Sequence, residues 1–304
     1  VSETKTKQET EDTNTKGEKA EGQDTEEVVQ KKHFGLGPFT LKLENSKVLK
    51  TIVETLSSII DETTFTITPQ EFRVKAMDPS RICLLQLIIT RENFDSFECD
   101  EPVKVSLNLD DLGKIMKRAA SSDAITLVHE DEAHRIKVLM RREEQSRSRT
   151  FSLGLLDLDI EEIPMGSLLS IEYSSGWSTD PDFLKEAIKD AEIYSEIINI
   201  EARENIGLTY SSAGQIGEMK YELGLENFLE EDIAGEEKGS YSVVFLKAIL
   251  KLQSITEALR VSLKTDHPIK MEFDLLEGGK LSYFLAPRVE ETTPEGEEEF
   301  LEEM

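Results

Sequence analysis

The chain has 304 residues, with 62 Asp and Glu against 35 Lys and Arg, a formal net charge of −27 and 38% hydrophobic residues. That length allows two domains with cores of their own, and no apolar run nears the roughly 18 residues of a membrane-spanning helix. A body this acidic repels phosphate, so any contact with nucleic acid has to sit on a segregated basic face.

Residues 1–33 hold almost no large apolar side chains, and the composition predicts a disordered N-terminal extension reaching residue 38. From there the pattern is mostly of period two: Phe65 and Ile67, then Phe72, Val74 and Ala76, then Val103, Val105, Leu107 and Leu109. Ile125 and Leu127, Ile136 and Val138, and Phe151 and Leu153 continue it, which predicts many short, half-buried strands. Helical spacing appears in only four stretches, roughly 46–57, 111–120, 181–192 and 244–253. Few helices among many strands indicate an α+β fold. After Glu291 the chain turns acidic again, and residues 292–304 read as a second disordered tail in which Phe300 and Leu301 form a lone apolar pair. A docking peptide fits that pair, but a solvated end is the favoured reading. Cys83 and Cys99 are the only cysteines and lie in or beside strand-like runs, where buried free thiols are expected. No secretory signal is visible, so a reducing, intracellular setting is expected.

The sequence repeats itself. A shift of 134 residues places Leu112, Ile115, Met116 and Lys117 on Leu246, Ile249, Leu250 and Lys251, followed by a second strand-like match. A shift of 135 places Leu49, Lys50, Val53 and Phe65 on Leu184, Lys185, Ile188 and Ile200. Two copies of one unit are therefore expected, over about 39–160 and 168–289. On a helical wheel Leu112, Ile115, Met116 and Ala119 share one face, and Lys114, Lys117 and Arg118 take the other. The remaining helical stretches present Lys47 and Lys50, Lys185 and Lys189, and Lys247 and Lys251. Any amphipathic helix shows charge to water, but cations on all four in so acidic a chain suggest one surface facing a polyanion. Glu54, Glu186 and Asp190 interrupt that surface, and the latter two suit a neighbouring subunit better than phosphate.

There is no GxxxxGK[ST] loop, no HExxH and no paired-cysteine spacing, so no nucleotide, metal or other cofactor site is expected. His33, His129, His134 and His267 are scattered. Asp157 and Asp159 could pair on a metal as in a nuclease, yet alternation with Leu155 and Leu158 favours an acidic edge facing solvent. The sequence does not argue for an enzyme.

Several motifs together resemble one family: Ala76-Met77-Asp78-Pro79-Ser80-Arg81, the stretch Leu112–Arg118, Arg149-Thr150-Phe151, Glu201–Asn205 and Leu285–Glu291. They are similar to archaeal-type proliferating cell nuclear antigen, the DNA sliding clamp. The resemblance implies a DNA clamp fold with two similar β-rich halves, 39–157 and 168–291, each with two helices. A connecting linker, 158–167, joins the halves, and three subunits form a pseudo-sixfold ring around duplex DNA. It implies a processivity factor rather than an enzyme, with Lys47, Lys50, Lys114, Lys117, Arg118, Lys185, Lys189, Lys247 and Lys251 facing the DNA. It further implies a partner-peptide pocket built from Met77, Ile82, Leu84, Ile163, Pro268, Ala286 and Pro287, which would receive the PIP-box peptides of DNA polymerase, clamp loader, flap endonuclease and DNA ligase. Subunits would pair edge strands, Thr150, Phe151, Ser152 and Leu153 against Met219, Lys220, Tyr221 and Glu222. The acids of 181–192 would lie near Arg147 or Arg149 of the neighbour. A homotrimer is the leading expectation, and a specialised subunit of a heterotrimeric clamp serving mainly as a partner scaffold is the alternative. The expected compartment is the cytoplasm or nucleoid of an archaeon, or a eukaryotic nucleus.

Overall fold

The structure, a computed structural model, describes residues 37–130, 133–142, 145–158, 163, 165–275 and 278–288. His33 and most of the N-terminal extension, Asp159 and Ile160 of the linker, and Phe300 and Leu301 of the acidic tail lie outside the described residues.

The chain opens with β1 (Phe39–Leu43), α1 (Ser46–Leu56), β2 (Glu62–Ile67), β3 (Glu71–Met77), β4 (Cys83–Thr90), β5 (Ser96–Glu98) and β6 (Val103–Asn108). Then come α2 (Leu109–Met116), β7 (Ala124–His129), β8 (Arg135–Arg142) and β9 (Arg147–Gly154). A one-turn α3 (Gly166–Leu169) precedes β10 (Ser175–Thr179), α4 (Pro181–Ala191), β11 (Ile197–Arg203), β12 (Gly207–Gly214), β13 (Gly217–Gly224), β14 (Phe228–Ile233) and β15 (Glu236–Ser242). The last elements are α5 (Val243–Ile249), β16 (Thr256–Leu263), β17 (Ile269–Leu275) and β18 (Lys280–Leu285). The order from β1 to β9 is thus repeated from β10 to β18, with α4 in the place of α1 and α5 in the place of α2.

Local chemistry sets the helix ends. The side chains of Asn45 and Asp180 accept the N–H groups of Lys47 and Asp182, both at 2.8 Å, and Pro181 occupies a first-turn position that needs no donor. Asn108 accepts the Asp111 N–H at 3.0 Å, which starts α2 two residues ahead of the periodic run. The helix expected over 111–120 ends at Met116, with Lys117 as its C-cap. The expected 244–253 splits into α5 and a tighter 3-10 segment, Leu250–Ile255.

The strands form three sheets. One runs β5-β1-β7-β8-β9, a second runs β13-β12-β11-β15, and a nine-stranded sheet runs β14-β10-β16-β17-β18-β4-β3-β2-β6. The nine-stranded sheet is a composite, because antiparallel pairing of β18 with β4 joins the second repeat to the first, Tyr283 lying opposite Leu85. Strand alternation puts Phe72, Val74 and Ala76 of β3 in the core and Arg73 and Lys75 on the other face. The helices bury one face each against the sheets: Val48, Leu49, Ile52, Val53 and Leu56 from α1, and Leu184, Ala187, Ile188 and Ala191 from α4. Each such Leu or Ile contributes about 1.5–3 kcal/mol by leaving water.

Candidate nucleic-acid and partner interfaces

The helices form one layer. α1 packs against α2 and against the Leu250–Ile255 segment, and α4 packs against α5 and the same segment. All nine predicted DNA-facing cations lie on these elements or directly after them, but several are already engaged. Lys114 meets Asp111 at 2.7 Å, Lys185 meets Asp182 at 3.3 Å, and Lys247 reaches both oxygens of Glu192 at 2.6 and 2.7 Å. The hydrogen bond that Lys114 donates to Asp111, and that carboxylate's charge, raise the Lys114 pKa. Lys50 donates to the Ala119 carbonyl at 3.2 Å, and Lys251 to the Glu54 carbonyl at 3.4 Å. Lys117, Arg118 and Lys189 are exposed and have no ion-pair partner among the described residues. Charge counting along helix faces singled out Glu54, Glu186 and Asp190 but missed these short-range neutralisers, Asp111, Asp182 and Glu192.

Among the described residues six strands end a sheet, and the two expected at the subunit joint are among them. β9 ends the five-stranded sheet and β13 ends the four-stranded one. Phe151, Leu153, Met219 and Tyr221 are half-buried against the main core, whereas Thr150, Ser152, Lys220 and Glu222 are exposed. Burial first, and then the Glu186 and Asp190 carboxylates, push the Tyr221 phenol up, so the acids of α4 stand over β13. Arg149 is held inside its own chain, at 2.7 Å from Asp123, which also binds Arg142 at 2.7 Å. Burial works to raise the Asp123 pKa, but the Ala120 N–H and the two guanidinium groups outweigh it and hold the carboxyl low. Arg147 is exposed.

On the face of the nine-stranded sheet away from the main core lies a separate apolar cluster. Leu84, Met165 and Phe284 are buried there, with half-buried Met77, Ile163 and Leu168 packed around them. Register explains the grouping: Met77 lies opposite Leu84, Leu84 opposite Phe284, and Phe284 opposite Lys270. Phe284 points away from the core between inward Tyr283 and Leu285, yet is only 2% exposed, because the linker covers it with Met165 and its neighbours. The structure therefore brings Met77, Leu84 and Ile163 together and adds Met165, Leu168 and Phe284. The Ile82 side chain packs on the main core, while its carbonyl accepts the Ala286 N–H at 2.9 Å. Pro268 and Pro287 are half-buried, and the Pro268 carbonyl accepts the Tyr173 hydroxyl at 2.9 Å. Buried Asp78 organises the turn that aims Met77 and Leu84, accepting the Ile82 and Cys83 N–H groups at 2.7 and 2.6 Å and that of Ser80 at 3.0 Å. Desolvation pushes the Cys83 thiol up to about 12. Asp157 is exposed.

A β-rich unit built twice, with a helix layer on one face and a linker-capped cluster on the other, is a DNA-clamp fold. The model of the N-terminal domain of proliferating cell nuclear antigen matches residues 38–163. The chain is 31% identical over 256 residues to the DNA polymerase sliding clamp of Thermococcus gammatolerans, covering 84% of this chain and 100% of that one. It is 32% identical over 244 residues to the DNA polymerase sliding clamp of Thermofilum pendens, covering 79% and 95%. Among solved structures, PCNA from Thermococcus kodakaraensis matches with a TM-score of 0.75 at 23% identity, covering 82% of this chain and 100% of that one, a likeness of fold. The chain belongs to the DNA polymerase sliding clamp family.

Proposed function

We propose that this chain is a non-catalytic sliding clamp. Three copies would close into a ring around duplex DNA and hold replication and repair enzymes on it. The observation that carries the reading is the joint between β18 and β4. In the repeat β18 corresponds to β9 and β4 to β13, so the chain contains one closed joint and the two open halves of another. Transferring the register Lys280↔Ile88 to Leu285↔Cys83 onto the open edges pairs Thr150 with Lys220 and Phe151 with Met219 of the next copy. Pairing also removes two eight-residue edges that would otherwise invite aggregation. We take 39–157 and 168–291 as the halves of the clamp and 158–167 as the linker.

The helix layer then lines the hole. Its cations interleave with acids, so the DNA would be held weakly and salt-sensitively, and the tether would be topological rather than adhesive. The linker-capped cluster is the site for the apolar anchors of partner peptides, supplied by polymerase, flap endonuclease, ligase or clamp loader. A trimer mass in solution, together with stimulation of primer extension on circular DNA when a loader and polymerase are supplied, tests the clamp. A monomer that stimulates nothing overturns it. Ile163→Ala should weaken partner-peptide binding and leave the ring intact; unchanged peptide binding would refute the pocket.

A further inference from the structure

We propose that the chain's own acidic tail docks in the partner pocket of its own subunit, through Phe300 and Leu301, and competes with partner peptides. The inference rests on the pocket reading given above. It starts from where the described chain stops: Ala286 hydrogen-bonds Ile82 beside the cluster, and Arg288 is the last described residue. Arg288 is four residues past Phe284, so their separation is at most about 14 Å. Phe300 lies twelve positions beyond Arg288, and a coil of that length has an end-to-end distance of about 20 Å. The span and the reach match, so the effective concentration of the tail at the pocket is in the millimolar range.

Chemistry agrees with reach. On the pocket reading the cluster would take apolar side chains, and outside the described residues Phe300-Leu301 is an adjacent apolar pair in a run of acids, with Glu297, Glu298 and Glu299 before it and Glu302 and Glu303 after it. Cations stand near the cluster in an otherwise acidic protein. Lys270 lies beside Phe284, and it shares Glu272 with Lys280, at 3.1 and 2.9 Å, so that two cations face one carboxylate. Lys75, one row from Met77 on the same face, has no ion pair among the described residues, and Arg81, within the turn, and Arg288, whose N–H donates to the Ser240 carbonyl at 2.7 Å, are exposed. An acidic, Phe-Leu-bearing segment complements both the cluster and the cations near it.

The test titrates a fluorescein-labelled peptide, carrying two adjacent aromatic anchors and derived from a replicative polymerase, into the full chain and into its Phe300→Ser/Leu301→Ser variant. With an intrinsic tail affinity on the order of 0.1 mM and an effective concentration of about 1 mM, the variant should bind the probe about tenfold more tightly. Equal binding to both chains overturns the tail docking and leaves the pocket standing. Binding to neither overturns the pocket reading, and the tail inference with it. A difference that grows with protein concentration would put the tail in another ring's pocket and overturn docking within the subunit.

Discussion

Phe151→Ala tests the ring joint most directly. Phe151 is half-buried in the isolated chain and would lie opposite Met219 of the neighbour, so only its open part remains for the neighbour to cover. Taking that part as roughly a quarter of the 150–250 Å² of an aromatic side chain gives about 50 Å², or about 1.3 kcal/mol at ~25 cal/mol per Å². That is about a tenfold loss per joint. A three-membered ring has three joints, so its association constant falls about a thousandfold, and the midpoint concentration, which scales as the square root, rises about thirtyfold. Sedimentation velocity or mass photometry over a dilution series reads the midpoint, and far-UV circular dichroism confirms that the subunit stays folded. A midpoint within about threefold of the parent, with the fold intact, would refute the placement of β9 in the joint.

Thr150→Cys combined with Lys220→Cys should cross-link subunits into covalent rings under mild oxidation, visible on non-reducing gels, since native Cys83 and Cys99 are buried and do not compete. Dimers linked only through other positions would contradict the register. Asp123→Asn should destabilise the fold by about 2–4 kcal/mol at pH 7, because it leaves two guanidinium groups without their carboxylate. The folded carboxyl lies below its usual 3.8, so this stabilisation is present above that value and lost as pH falls through the folded pKa. The gap between parent and variant in urea melts should therefore close only below about pH 3.8; a gap already closed at pH 5 would disprove the ion-pair account.

The strands were legible because one face of each is buried and the alternation is clean, as in β3 and β8. The duplication was legible because helix faces conserve apolar spacing even where loops do not. Helix ends were less so: Asn108 moved α2 by two residues through a single side-chain bond that periodicity does not register. The pocket was half legible. Met77 and Leu84 stood out through the turn between them, whereas Phe284 reads as ordinary strand core, since only the linker packed on its outward face distinguishes it. The joint of β18 with β4 left no local signal, because strand pairing across about 200 residues depends on topology rather than on neighbouring residue types.

That joint also divides the cations that helix faces alone would lump together. Lys251 follows α5 and reaches the Glu54 carbonyl, which also accepts the Ser57 hydroxyl at 3.3 Å, near the end of α1, where the helix dipole attracts a cation. It therefore bridges the two repeats. In the repeat Lys251 corresponds to Lys117 and Glu54 to Lys189, so Lys117, which lacks an ion-pair partner among the described residues, would reach the Lys189 carbonyl of the next subunit. An exposed contact of that length contributes about 0.5 kcal/mol, a little over twofold per joint, and Lys117→Ala should raise the dissociation midpoint about threefold. Lys189→Ala leaves that carbonyl in place and should leave the midpoint unchanged while weakening the DNA contact and making its salt dependence shallower. Identical midpoints for the two variants would return Lys117 to the lining of the hole and limit the joint to its strands.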